Sequence, residues 1–141
     1  MIEMSNFEKS VLLKLLDFDQ EWFLPLRYQS VNLKVDSRNN TGYGFYLKFK
    51  EGNPKLSLGL NVDFYFGDVV ASIPGLELGA GFVLFIKNGF ISMLEGYSYE
   101  EMWPDNITKF ELEYESGKVR NCMKFSEDIL KQCPILRKSN K

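Results

Sequence analysis

Apolar residues recur at helical spacing near the N-terminus and at every second position through much of the middle of the chain. Phe7, Val11, Leu12, Leu15 and Leu16 form one stripe. Ser5 is followed three residues later by Glu8, a reciprocal cap that takes up two orphan amides at a helix start. The spacing therefore predicts a core-facing helix over about 6–17. "EWFLPLRYQ" reads as a connection broken by Pro25. Beyond it, Val31, Leu33 and Val35 share one face of a predicted strand, "RNNTG" turns the chain, and Tyr43, Phe45, Leu47 and Phe49 share one face of the next. A third strand is expected through "NVDFYFGDVVASI", with Asp68 on its more apolar face unless a bulge at Gly67 turns it to the other.

Asn88-Gly89 lies between two apolar runs and is the strongest short signal for a β-hairpin, because both central residues of a type I′ turn need positive φ. A two-residue loop fixes a register over about 79–97 in which Ile86 faces Ile91, Leu84 faces Met93, Phe82 faces Glu95 and Ala80 faces Tyr97. Both faces of "GAGFVLFI" are apolar, so this strand is expected to be central and covered on both sides. Glu95 then falls on an apolar face, where a carboxylate has to be paired, hydrogen-bonded or shifted in pKa.

"GYSYEEMWPDNI" reads as a loop or helical turn ended by Pro104. "TKFELEYE" alternates Phe110, Leu112 and Tyr114 with Glu111, Glu113 and Glu115, a half-buried strand with a solvated acidic face. "SEDILKQCP" offers a short last helix with Ser126 as a cap and Pro134 as a stop. The fold class is α+β: a single antiparallel sheet of about six strands, with an N-terminal helix and a short C-terminal helix packed against it. Residues 1–141 are expected to form one domain, with an ordered core over about 5–134 and a frayed tail at 135–141.

The composition, 45% hydrophobic in 141 residues, suits such a domain. The absence of histidine removes serine–histidine and cysteine–histidine nucleophile activation and imidazole-ligated metals. Cys122 and Cys133 are too few for a structural zinc site and lack redox spacing, so two reduced thiols and no metal are expected. "GYGF" and "GLELGAGF" lack the phosphate-loop and dinucleotide patterns, and no cofactor is expected. No apolar run is long enough to span a bilayer and "MIEMSNFEKS" lacks the features of a secretory signal, so the expected location is cytoplasmic.

The net charge of −2 gives no argument for nucleic acid or an anionic membrane. Its distribution is uneven, however. Residues 95–115 carry seven acids against Lys109, and residues 116–141 carry seven bases against Glu127 and Asp128. Either the basic end folds back and partly neutralises the acids, or it is simply a solvated tail, or the acids form a face offered to a basic partner.

The run "GDVVASIPGLELGAGFVLFIKNGFISMLEGYSYEEMWP", with "SRNNTGYGFY" upstream, resembles a family of small bacterial proteins of uncharacterised function. They share a GAGF-LF-x-x-x-G hairpin and an LEGYSY-x-x-x-WP-like ending. The positions that match are Arg38, Gly42, Gly44, Asp68, Glu95, Tyr97, Trp103 and Pro104. The resemblance implies a common fold and carries over no catalytic residue.

Three functions are compatible with these residues. The first is a non-enzymatic interaction module, for instance a toxin-neutralising immunity protein or a small regulatory protein. It would use Glu100, Glu101 and Asp105 with Tyr97, Tyr99 and Trp103 as an acidic, aromatic patch for a partner with a basic surface; a homo-oligomer stays open. The second is a small-ligand binder with an aromatic-lined pocket. The third is a carboxylate-dependent hydrolase with Asp68 and Glu95 as acid and base. Asp68 is also expected to form a structural charge pair with Arg38, or failing that with Arg27.

Overall fold

The computed structural model describes residues 2–139. Helix α1 spans Asn6–Leu15. The Ser5 hydroxyl accepts from the Glu8 amide at 3.1 Å and the Glu8 carboxylate accepts from the Ser5 amide at 2.8 Å, so the cap closes as the spacing predicts. A single 3-10 turn, Glu21–Phe23, leads into α2, Leu24–Val31. Pro25 sits in the first turn of α2, where a missing amide costs nothing. The stretch read as a connection is thus mostly helical, and Val31 ends a helix instead of opening a strand.

The strands are β1 (Val35–Asn40), β2 (Gly44–Phe49), β3 (Phe64–Phe66), β4 (Val69–Ile73), β5 (Leu76–Lys87), β6 (Phe90–Ser98) and β7 (Glu111–Tyr114). They form one antiparallel sheet in the order β1-β2-β6-β5-β4-β7, with β3 pairing the far end of β5. Helices α3 (Cys122–Gln132) and α4 (Ile135–Ser139) complete the α+β fold. Asn121, not Ser126, caps α3, its side chain accepting from the Lys124 amide at 3.1 Å. Leu136 of α4 is buried, so packed chain continues past Pro134; residues 140 and 141 lie outside the described part.

Helices cover one face of the sheet. Phe45, Leu47, Phe66, Phe82, Leu84 and Leu94 point into that layer and meet Phe7, Leu12, Leu15, Phe23 and Phe125 from the helices and the turn. Among the described residues no helix lies over the opposite face: Val83, Phe85, Met93 and Tyr97 are only half-buried there, and Tyr65 is exposed. The expectation that β5 is covered on both sides is therefore corrected.

Two irregularities set what each face shows. The expected third strand breaks at Gly67-Asp68 into β3 and β4, because Phe66 and Val69, three residues apart, both turn to the core. The hairpin turns at Asn88 (φ 50) and Gly89 (φ 75) as predicted, and Ile86 faces Ile91. A bulge then shifts the register, so that Phe85 faces Met93, Leu84 faces Leu94 and Val83 faces Glu95. Ile91 and Leu94 are also three apart, and one extra residue between them lets both be buried. Glu95 is consequently carried away from Phe82, onto the open face.

The hairpin turn is clamped. Asp63 accepts from the Asn88 amide at 2.8 Å, and the Gly89 amide donates to the Val62 carbonyl at 2.9 Å. Buried Gln29 of α2 donates to the carbonyls of Leu56 (2.8 Å) and Gly89 (2.9 Å) and accepts from the Ile91 amide (2.8 Å). A side chain at position 89 would strike Leu58 and Ser57 as well as strain the left-handed backbone.

Candidate functional site: the open face of the sheet

Alternation along β2, β5, β6 and β7 places Tyr46, Val83, Phe85, Met93, Glu95, Tyr97, Glu111 and Glu113 on the uncovered face. The ring of Tyr97 lies across the neighbouring strand at Gly81, in the space a β-carbon there would need. On the covered face Phe45 lies across Gly96 in the same way. The two glycines are therefore seats for aromatic rings, one on each side of the sheet. Tyr97 also meets Tyr99 edge-on at 5.7 Å, and Tyr65 lies 5.9 Å from Phe85.

The electrostatics tie these rings to the acids. Glu95 stands opposite Tyr46 on β2, and chiefly its negative charge pushes the Tyr46 phenol up from its ordinary value. The Tyr97 phenol is also pushed up, first by its partial burial, then by Tyr99, with smaller contributions from Glu115 and Glu95. Glu95 and Glu115 thus both act on one hydroxyl, from β6 and from the residue just past β7. None of Glu95, Glu111, Glu113 and Glu115 is in an ion pair among the described residues. Beside Tyr99, an open groove of about 1030 Å³ runs past exposed Leu78 and along Lys109, Glu111 and Glu113.

The six residues expected to form the patch are not brought together. Tyr97 and Tyr99 belong to the open face, whereas Trp103 packs edge-on against Phe45 (5.6 Å) and tilted against Phe7 (6.4 Å) on the helix side, with its amide donating to the Gly42 carbonyl at 2.8 Å. Asp105 is exposed and lines a cavity near the start of α1 with Trp103. Glu100 is exposed in a turn at φ 65. Glu101 serves the fold: its carboxylate accepts the Glu77 and Leu78 amides at 2.8 and 2.9 Å, closing a β5 irregularity where the pairing with β4 slips. The sequence shows three acids in a row of loop residues but not that one of them is a backbone cap.

The expected Arg38–Asp68 pair is not formed, nor is one with Arg27. Arg38 holds Glu8 with two contacts, at 3.0 and 2.6 Å, and Arg27 pairs with Asp19 at 2.5 Å. Asp68 takes both oxygens to Arg120, at 3.0 and 2.9 Å, and its side chain is 23% exposed. Arg120, with a side chain only 3% exposed, also donates to the Asp17 carbonyl at 2.8 Å and lies over the rings of Tyr114 (4.6 Å) and Phe125 (4.0 Å). Its signal in the sequence was one base among seven in a segment that reads as tail. Asp68 lines a cavity of about 690 Å³ against α3 that does not include Glu95, so the two carboxylates share no pocket there.

No ion pair among the described residues joins the bases of 116–141 to the acids of 95–115, so the acidic segment is not neutralised by the basic end through such contacts. Among the described residues no group of three or more histidine, cysteine or acidic side chains could hold a metal ion, and no helix is long and apolar enough to cross a membrane. No family model, no curated protein and no solved structure matches this chain.

Proposed function

We propose that the protein is a non-enzymatic interaction module that offers the open face of its sheet to a protein partner with a basic surface. One observation carries this reading: acids without ion-pair partners among the described residues and half-exposed tyrosines stand together on a sheet face over which no described helix lies. Rigid aromatic rings supply contact area at low entropic cost, and the unpaired carboxylates steer a basic partner toward them. The groove beside Tyr99 extends this surface at its edge. A toxin-neutralising immunity protein and a small regulatory partner both fit such a surface. The hydrolase reading gains no support, because Arg120 occupies both oxygens of Asp68.

Binding partners recovered from a native-host lysate at low salt test this. A candidate identified there is purified and its affinity measured against the parent and the Glu95→Lys/Glu113→Lys/Glu115→Lys variant. The expected result is a basic partner whose association slows in the variant and weakens with ionic strength, while Glu100→Lys/Asp105→Lys, off that face, changes little. Equal affinity for parent and triple variant would remove the reading.

A further inference from the structure

On the helix side, a groove of about 490 Å³ runs between α1, the end of α2 and the start of β1. We infer that it binds a single-chain anionic amphiphile, a free long-chain carboxylate. Leu13 of α1 is 62% exposed and Val31 of α2 is 77% exposed, and both line this concavity together with half-buried Leu33. Single exposed apolar side chains are ordinary on a protein surface, but these converge on one depression. Three cations border the same groove. The Lys50 amide donates to the Lys34 carbonyl at 2.9 Å, so these two lysines leave adjacent backbone positions, and Lys9 of α1 joins them.

None of the three lysines is in an ion pair among the described residues, and Glu3 is the one acid that lines the groove. Lys9, Lys34 and Lys50 together give the groove a cationic border that favours an anion over a neutral or cationic ligand. Lysine stems also lie well along apolar surface while their heads stay in water, which matches an acyl chain on the groove floor and a carboxylate at its rim. The volume falls within the roughly 300–1,000 Å³ of small-ligand pockets. A concave apolar site with its charge at the rim suits a free amphiphile better than a bilayer surface. The site is independent of the open sheet face, whose acids would repel such a ligand.

Calorimetric titration with sodium dodecanoate, kept below its micelle concentration, tests the assignment. The expected result is one molecule bound per chain, with amide shifts at Leu13, Val31 and Leu33 in NMR spectra. Reversing the cations in Lys34→Glu/Lys50→Glu should weaken binding by about tenfold or more. These side chains are exposed, so the variant is expected to stay folded, as its circular dichroism would show. Glu113→Lys, on the other face, should leave the affinity unchanged. The inference is overturned if dodecyltrimethylammonium binds as tightly, if the double variant retains the parent affinity, or if dodecanoate binds only as micelles. It is equally overturned if the protein floats with phosphatidylglycerol vesicles without binding monomeric dodecanoate, or if Leu13 and Val31 prove to be covered by a second copy of the chain.

Discussion

Four segments depend on the guanidinium of Arg120: the chain after α1 through the Asp17 carbonyl, the β3–β4 junction through Asp68, β7 through Tyr114, and α3 through Phe125. Removing one partner of such a pair leaves an unmatched charge in a place with little water. Arg120→Met or Asp68→Ala should each cost about 3–5 kcal/mol in urea unfolding, and Asp68→Leu/Arg120→Leu should recover part of that loss. A change of a degree or two in the melting temperature of Asp68→Ala would contradict this account. The ring seats give a second test at the same scale. Gly96→Ala drives a methyl into Phe45 on the covered face and should cost about 1–3 kcal/mol, whereas Gly81→Ala can be relieved by swinging Tyr97 off the open face. Titration supplies a third. The phenols of Tyr46, Tyr97 and Tyr114 are all pushed up, Tyr46 mainly by Glu95 and the other two mainly by burial. A phenol raised in the folded state contributes stability that is complete below its unfolded value, about pH 10, and is lost as pH rises through the folded value. Phenolate absorbance of the native protein should therefore develop at higher pH than in the urea-unfolded chain, with Tyr97→Phe removing one late component, and the urea midpoint should fall over the same range.

Two glutamines stand in for strands or turns at the element scale. Gln132 of α3 accepts from the Tyr65 amide at 2.9 Å and donates to the Tyr65 carbonyl at 2.7 Å, the pattern a neighbouring strand would make along the free edge of β3. Gln29 does the same work for the hairpin turn and its flanking loop. Gln29→Ala should cost about 1–3 kcal/mol, since it leaves buried backbone groups without partners. Gln132→Ala should cost less and show itself mainly as faster amide exchange at Tyr65. Local signals were legible in the sequence where a short span settles the matter: Ser5 with Glu8 for the start of α1, Asn88-Gly89 for the hairpin, and the alternation of β7. What could not be read depends on distant partners. The β6 register follows from burying both Ile91 and Leu94, the break at Gly67-Asp68 from burying both Phe66 and Val69, and the partner of Asp68 lies fifty-two residues on. The spacing of three between those apolar pairs was a visible warning that strict alternation would fail. The helical "EWFLPLRYQ" shows the same limit, because Pro25 both breaks a helix from within and begins one well.

Across the whole molecule the acids divide by where the sheet puts them. Glu8 is fixed by Arg38 and the cap, Asp68 by Arg120, and Glu101 by two backbone amides, so these three serve the fold. Glu111, Glu113 and Glu115 project in alternation from β7 and its end toward the open face without an ion pair among the described residues. A fold that needed these three charges would have matched them with bases. A surface meant for a basic partner leaves them unmatched, and accepts some mutual repulsion in the free protein. Stability and binding should therefore separate. Glu111→Lys/Glu113→Lys/Glu115→Lys is expected to unfold in urea within about 1 kcal/mol of the parent, as surface changes do. Added salt should stabilise the parent more than the neutral glutamine counterpart of this variant, because screening relieves a like-charge cluster that the neutral chain has lost. Glu101→Lys, by contrast, withdraws the acceptor from the Glu77 and Leu78 amides and places a cation beside them, so it should destabilise the protein by more than the triple reversal does. If the triple variant proves the less stable of the two, the β7 acids hold the sheet together and the open face loses its standing as a surface kept free for a partner.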